Sequence, residues 1–210
     1  LALTLFSPDG EEGYPGNLFV KVTYTFDDSN ALTIHYEADT DCDTVLNMTS
    51  HTYYNLNGYD GGSVMEQELF IDADSYDEVN ELLVPTGTPV SVAGTDFDFR
   101  KMRPISRGYD HNFVLNGRNG ELRLAAKAYD PKSGRTLTLY TDLPAVQLYT
   151  AVGMNGKTNF KGGVPQRLLH AFCLETQYSP DTPNRPYMPQ CVVKAGEKYD
   201  TVTKLVFGIK

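Results

Sequence analysis

This sequence predicts an all-β chain folded as a large sandwich of antiparallel sheets, and three observations carry that expectation. Apolar residues recur at every second position in run after run. Gly- and Pro-containing turn signals such as "GYPGN", "GYDGG", "PTGTP", "GRNG" and "FKGGVPQ" punctuate those runs at short intervals. No segment keeps a 3.6-residue apolar period beyond two turns.

The elements follow in order. "LALTLFSPDG" (1–10) reads as the end of a strand entering a turn. The chain begins at Leu1, mid-strand and not at Met, so processing, a chosen starting point or a missing N-terminal part is expected. In "LFVKVTYTF" (18–26), Leu18, Val20, Val22, Tyr24 and Phe26 share one face, and Lys21, Thr23 and Thr25 share the other. "ALTIHYEAD" (31–39) repeats the pattern with Leu32, Ile34, Tyr36 and Ala38 inward, and the intervening "DDSN" reads as a hairpin turn. "ELRLAAKAYD" and "RTLTLYTD" form a second such pair around "PKSG". Further strands are expected at 43–50, 66–73, 112–116, 145–151, 170–177, 189–193 and 200–208, with at most a short helical turn in "SYDEVNELL" (75–83). No low-complexity linker or internal repeat divides the 210 residues, so one domain over 1–210, incomplete at its N-terminus, is the expected organisation.

Composition narrows the function. A net charge of −9 argues against nucleic acid, because too few Lys and Arg are present to neutralise many phosphates. No apolar run is long enough to span a membrane, and no signal peptide is visible. Cys42, Cys173 and Cys191 form no CxxC and no Cys/His spacing that suits zinc. Three free thiols in a reducing, cytoplasmic setting are expected, with one disulfide plus one free thiol as the alternative. "NMT" (47–49) matches a glycosylation sequon, and chance is the preferred explanation.

Four residues stand out chemically. His51, in "NMTSHTYYNL" (47–56), is one imidazole among strand formers and reads as either a core histidine or a proton donor. In "AFCLETQYSPD" (171–181), Phe172, Leu174 and Thr176 share one face and Cys173, Glu175 and Gln177 the other. A carboxylate among residues that prefer burial must be paired, hydrogen-bonded or raised in pKa, so Glu175 is a candidate general base; a water-facing strand position is the plain alternative. Asp110, in "RGYDHNFVL" (107–115), is either an Asx turn or an acceptor for ligand hydroxyls, and His111 beside it would point the other way in a strand. Gln147, in "LPAVQLYTA" (143–151), offers an amide that can donate and accept, which suits a sugar hydroxyl; an exposed strand glutamine is the alternative. Spacing alone cannot join the four.

Taken together, the motifs resemble one family. "SPDGEEGYPGNL" (7–18), "TSHTYYNL" (49–56), "LVPTGTPVSVAGTDFDFR" (83–100), "GYDHNFVL" (108–115), "VQLYT" (146–150) and "FCLETQYSPDTPN" (172–184) are similar, in this order, to blocks of the aldose 1-epimerase (galactose mutarotase) family. The resemblance implies a galactose mutarotase-like supersandwich. It implies interconversion of the α and β anomers of free aldohexoses such as galactose and glucose, by general acid/base ring opening. Its histidine block places the general acid at His51, its "LETQ" block the base at Glu175, and its remaining blocks place sugar-binding groups at Asp110 and Gln147. It implies no cofactor or metal, a monosaccharide as partner, and a monomer or homodimer.

The departures bear on activity. The family's N-terminal part, which carries an Asn-Arg pair and a second histidine of the sugar site, is absent, and the segment before "GYDHNF" is shorter than the family's. A non-catalytic sugar-binding relative or an inactive fragment is therefore the alternative. An epimerase-like enzyme acting on sugar phosphates is a third reading, against which no Arg cluster is visible.

Overall fold

The computed structural model describes residues 1–210. Fifteen strands follow one another: β1 (Ala2–Ser7), β2 (Leu18–Phe26), β3 (Ala31–Thr40), β4 (Thr44–Val45), β5 (Glu68–Ile71), β6 (Ala73–Tyr76), β7 (Val90–Ser91), β8 (Arg103–Pro104), β9 (Asp110–Leu115), β10 (Arg123–Tyr129), β11 (Arg135–Thr141), β12 (Ala145–Tyr149), β13 (Cys173–Gln177), β14 (Val192–Val193) and β15 (Lys198–Ile209). Helical structure is confined to single 3₁₀ turns at Glu11–Gly13, Lys161–Gly163 and Thr182–Asn184.

The strands make an eight-stranded sheet in the order β1-β2-β3-β15-β11-β10-β5-β8 and a five-stranded sheet in the order β13-β12-β9-β6-β7, with β14 and β4 as a separate pair. Neighbouring strands run antiparallel, as in β2 against β3 and β12 against β13. Alternation fills the space between the sheets. Ile34, Tyr36 and Ala38 of β3, Leu137 and Leu139 of β11 and Leu69 and Ile71 of β5 are buried from one side. Phe113 and Leu115 of β9, Val146 and Leu148 of β12 and Leu174 of β13 are buried from the other, and all join one apolar cluster.

Local chemistry sets the turns. At "DDSN" the Asp27 carboxylate accepts the backbone N–H of Ser29 at 2.8 Å, and Asn30 takes a left-handed φ of 56°. At "PKSG" the Asp130 carboxylate accepts the N–H of Ser133 at 2.8 Å, and Gly134 supplies φ 72°.

Two expected strands need correction. The stretch expected as a strand over 43–50 pairs only at Thr44–Val45. Beyond it the partners are not a ladder: the Met48 N–H donates to the Tyr199 hydroxyl at 3.3 Å, and the Asn47 side chain exchanges two 2.9 Å hydrogen bonds with the Tyr178 backbone. The strand expected over 189–193 likewise pairs only at Val192–Val193. Over 75–83, where at most a short helical turn is expected, no helix forms. Ser75 and Tyr76 pair with β7, and the Asn80 side chain then accepts the N–H groups of Leu82 and Val84 at 2.9 and 3.1 Å, closing a loop in which Leu83 has φ 61°.

Candidate active site

The five-stranded sheet has one face in the core and one turned outward, and the outward face is polar. Registers place Glu175 of β13 opposite Gln147 of β12, which in turn stands opposite Asn112 of β9. Two residues along, Cys173, Tyr149 and Asp110 form a second row. Residues two apart share a face, so both rows point the same way while Leu174, Leu148 and Phe113 point into the core. His111, of opposite parity to Asp110, turns away and packs on Phe97 with ring centroids 4.7 Å apart.

His51 arrives from outside the sheet. Tyr54 and Phe172 exchange backbone hydrogen bonds of 2.8 and 2.9 Å, which lays the segment ending at Tyr54 beside the start of β13. The imidazole then hangs over the strand, with Nε2 3.5 Å from Glu175 Oε1 and Nδ1 3.5 Å from Cys173 Sγ. Tyr53 and Tyr149 flank it at centroid distances of 4.9 and 5.7 Å and meet each other edge to face at 6.1 Å.

The result is a cavity of about 440 Å³ lined by His51, Tyr53, Asp110, Gln147, Tyr149, Glu175, Gln177 and Pro180. That volume lies within the usual range for small-molecule sites. A larger recess around Thr95, Asp98, Arg100 and Arg103 lies elsewhere, and its Arg100 is already bound by Asp98 and Asp74. All four candidate residues from the sequence thus face one cavity.

Electrostatics separates their states. Glu175 is 8% exposed, and burial raises its pKa above the ordinary carboxylate value. His51 opposes that shift and Asp110 adds to it. Burial also holds the Cys173 thiol far above its ordinary pKa, so it stays protonated. His51 is half exposed at the cavity mouth.

A chain of polar groups runs from the cavity floor to a buried ion pair that the sequence did not point to. Arg185 pairs with Asp77, at side-chain exposures of 5% and 1%. Asn112 donates to the other oxygen of Asp77 at 2.8 Å and to Ser179 at 2.9 Å. Its own oxygen accepts from Gln177 at 3.0 Å. Gln177 also donates to Gln147 Oε1 at 3.4 Å, and Gln147 Nε2 donates to Asp110 at 2.7 Å. Asp77 is acceptor-only when ionised, so Asn112 must turn its NH₂ toward it. The constraint passes along the chain and fixes which end of Gln147 faces Asp110. Gln177 shares the outward parity of Glu175 and was findable on that ground; Asp77 and Arg185, 108 residues apart, carried no local signal.

The remaining side chains find plainer places. The His35 ring bonds Asp200 at 2.8 Å on the surface, and His170 is buried against Phe160. All three cysteines are free, Cys42 exposed and the other two buried.

The family model described as aldose 1-epimerase matches residues 1–206. Galactose mutarotase of Bos taurus is 41% identical over 211 residues, covering 97% of this chain and 61% of that protein. The chain therefore spans about 61% of the length of that relative. Among solved structures, an aldose epimerase homologue from C. elegans superposes with a TM-score of 0.88 at 27% identity, over 99% of this chain and 65% of that one. A galactose 1-epimerase from Lactobacillus acidophilus gives 0.83 at 31% identity, over 99% and 62%.

Proposed function

The chain belongs to the aldose 1-epimerase family, and on that premise we propose that it carries the acid/base centre of an enzyme interconverting the α and β anomers of free aldohexoses such as galactose and glucose. One observation carries the reading: the 3.5 Å approach of His51 Nε2 to Glu175 Oε1, above a floor of Asp110 and Gln147.

The reaction asks for that juxtaposition. The C1 hydroxyl and the ring oxygen hang on the same carbon, so the groups that serve them must stand side by side. Glu175 takes the proton from the C1 hydroxyl as His51 gives one to the ring oxygen. The C1–O5 bond breaks, the open aldehyde rotates about C1–C2, and closure from the other face returns both protons with the roles reversed. Each group must act as acid and as base near neutral pH. Imidazole does so by nature, and burial moves the Glu175 carboxyl in the required direction. Asp110, its orientation shared with Gln147 through their 2.7 Å bond, accepts sugar hydroxyls. Tyr53 and Tyr149 offer aromatic walls to the C–H faces of the pyranose. The assignment extends to a single domain over residues 1–210 and to a cytoplasmic monomer or homodimer.

Polarimetry of freshly dissolved α-galactose tests the proposal. Rotation should decay faster with the protein than in buffer, and Glu175→Gln should lower the catalysed rate by roughly 10²–10⁴-fold. A wild-type rate equal to that of buffer would instead favour a sugar-binding relative or a fragment. An unchanged rate in Glu175→Gln would remove the base from its role.

A further inference from the structure

The local sequence shows no metal-ligand spacing, yet the fold brings an imidazole, a thiol and a carboxylate together across 122 residues. The donor atoms of His51, Cys173 and Glu175 all lie within 4.8 Å of one another. A tetrahedral zinc ion with bonds of about 2.0–2.3 Å needs ligand atoms roughly 3.3–3.8 Å apart. Two of the contacts here are already 3.5 Å, so the set has to contract by no more than about 1 Å. Cys173 and Glu175 sit two residues apart on β13, on one face, and hold their donors fixed. His51 comes from the loop and is half exposed, so it is the member free to swing.

We propose that His51, Cys173 and Glu175 together bind one thiophilic divalent cation of the zinc class, and that the bound ion closes the cavity to sugar. Three protein ligands leave a fourth position open toward the cavity. A thiolate with an imidazole selects zinc, cadmium or cobalt over magnesium or calcium. The Cys173 thiol is protonated without the ion and releases its proton to solvent as the ion binds. The resulting thiolate and the carboxylate then balance the charge of the ion, and Asp110 adds a further negative group on the same wall. The ion is not a participant in the proposed reaction. It is an inhibitor, because it engages the imidazole and the carboxylate that would otherwise move protons. The closure half of the proposal rests on the roles given above; the binding half does not.

The test is a titration of the reduced protein with Co²⁺, read by the thiolate-to-cobalt charge-transfer absorption and reversed by Zn²⁺. One equivalent should produce the band. Cys173→Ser should abolish it, and His51→Gln should weaken Zn²⁺ binding at least about 10-fold. Cys42→Ser, which alters an exposed thiol outside the cluster, should leave it unchanged. No band in the wild type, a band that survives Cys173→Ser, or one lost in Cys42→Ser would each overturn the site. If Cys173→Ser does not fold, His51→Gln at its exposed position gives the same decision. Zn²⁺ should also slow anomer exchange, with recovery on adding a chelator. Binding without slowing would overturn closure alone, and a chain inactive in polarimetry would leave the cobalt result readable.

Discussion

Asn112 donates its side-chain amide to the Asp77 carboxylate at 2.8 Å, and through that bond a buried ion pair with Arg185 is connected to the outward face of the sheet. Removing one member leaves the other charged and dry. Asp77→Ala is therefore expected to destabilise the fold by about 3–5 kcal/mol, measured as a shift in the urea midpoint at constant m. Loss of less than about 1 kcal/mol would mean that water already screens Arg185.

Glu175→Gln should stabilise the protein while disabling the proposed chemistry. Burial raises the folded-state pKa of Glu175 above its ordinary value. Between the unfolded and folded values the native state binds more protons, so stability is lost as pH rises through that window. The variant removes this penalty. Its melting temperature should exceed that of the wild type at pH 8, by roughly 2–4 °C per kcal/mol, and the difference should vanish below the ordinary glutamate range. A gain that grows on acidification would contradict the sign.

Asp110→Asn probes the sugar-holding role. A hydrogen bond to a charged acceptor contributes about 1.5–3 kcal/mol, so kcat/KM for galactose exchange is expected to fall roughly 10–100-fold. The pH profile should keep its shape, because the acid and base remain. A profile displaced along the pH axis would place Asp110 among the proton-transfer groups.

The edge strand β1 exposes Leu3 and Leu5, and the adjacent Phe6 and Phe19 are exposed as well. Such an edge pairs with other copies. Sedimentation of the 210-residue chain should show concentration-dependent association, reduced in a Leu3→Lys, Leu5→Lys variant. Equal association in both would locate the contact elsewhere.

What could be read from the sequence was whatever repeats over short distances. Period-two runs gave β2, β3, β10 and β11 nearly to the residue, and parity alone put Glu175 opposite the core face of β13. The resemblance to a family named His51, Glu175, Asp110 and Gln147, and one cavity gathers all four. The sheet order stayed hidden, because β12 lies between β9 and β13 through pairings that span 24 to 39 residues from β12 to either neighbour in sequence. Without that order, neither the Tyr149 wall nor the Asp77–Arg185 support could be placed. The segment around His51 looked like a strand because its composition suits one, but its hydrogen bonds go to side chains and to distant backbone.

The alternation in β13 ties assembly to chemistry. Leu174 fills the interior while Glu175, the next residue, faces the cavity. A slip of one position would push the carboxylate into the apolar interior and leave leucine facing the cavity. That misfolded arrangement would forfeit burial of Leu174 and strand a charge in an oily environment. Hydrophobic packing thus serves as a proofreader: a molecule that has seated its interior properly has, by the same act, turned its cavity carboxylate the right way round.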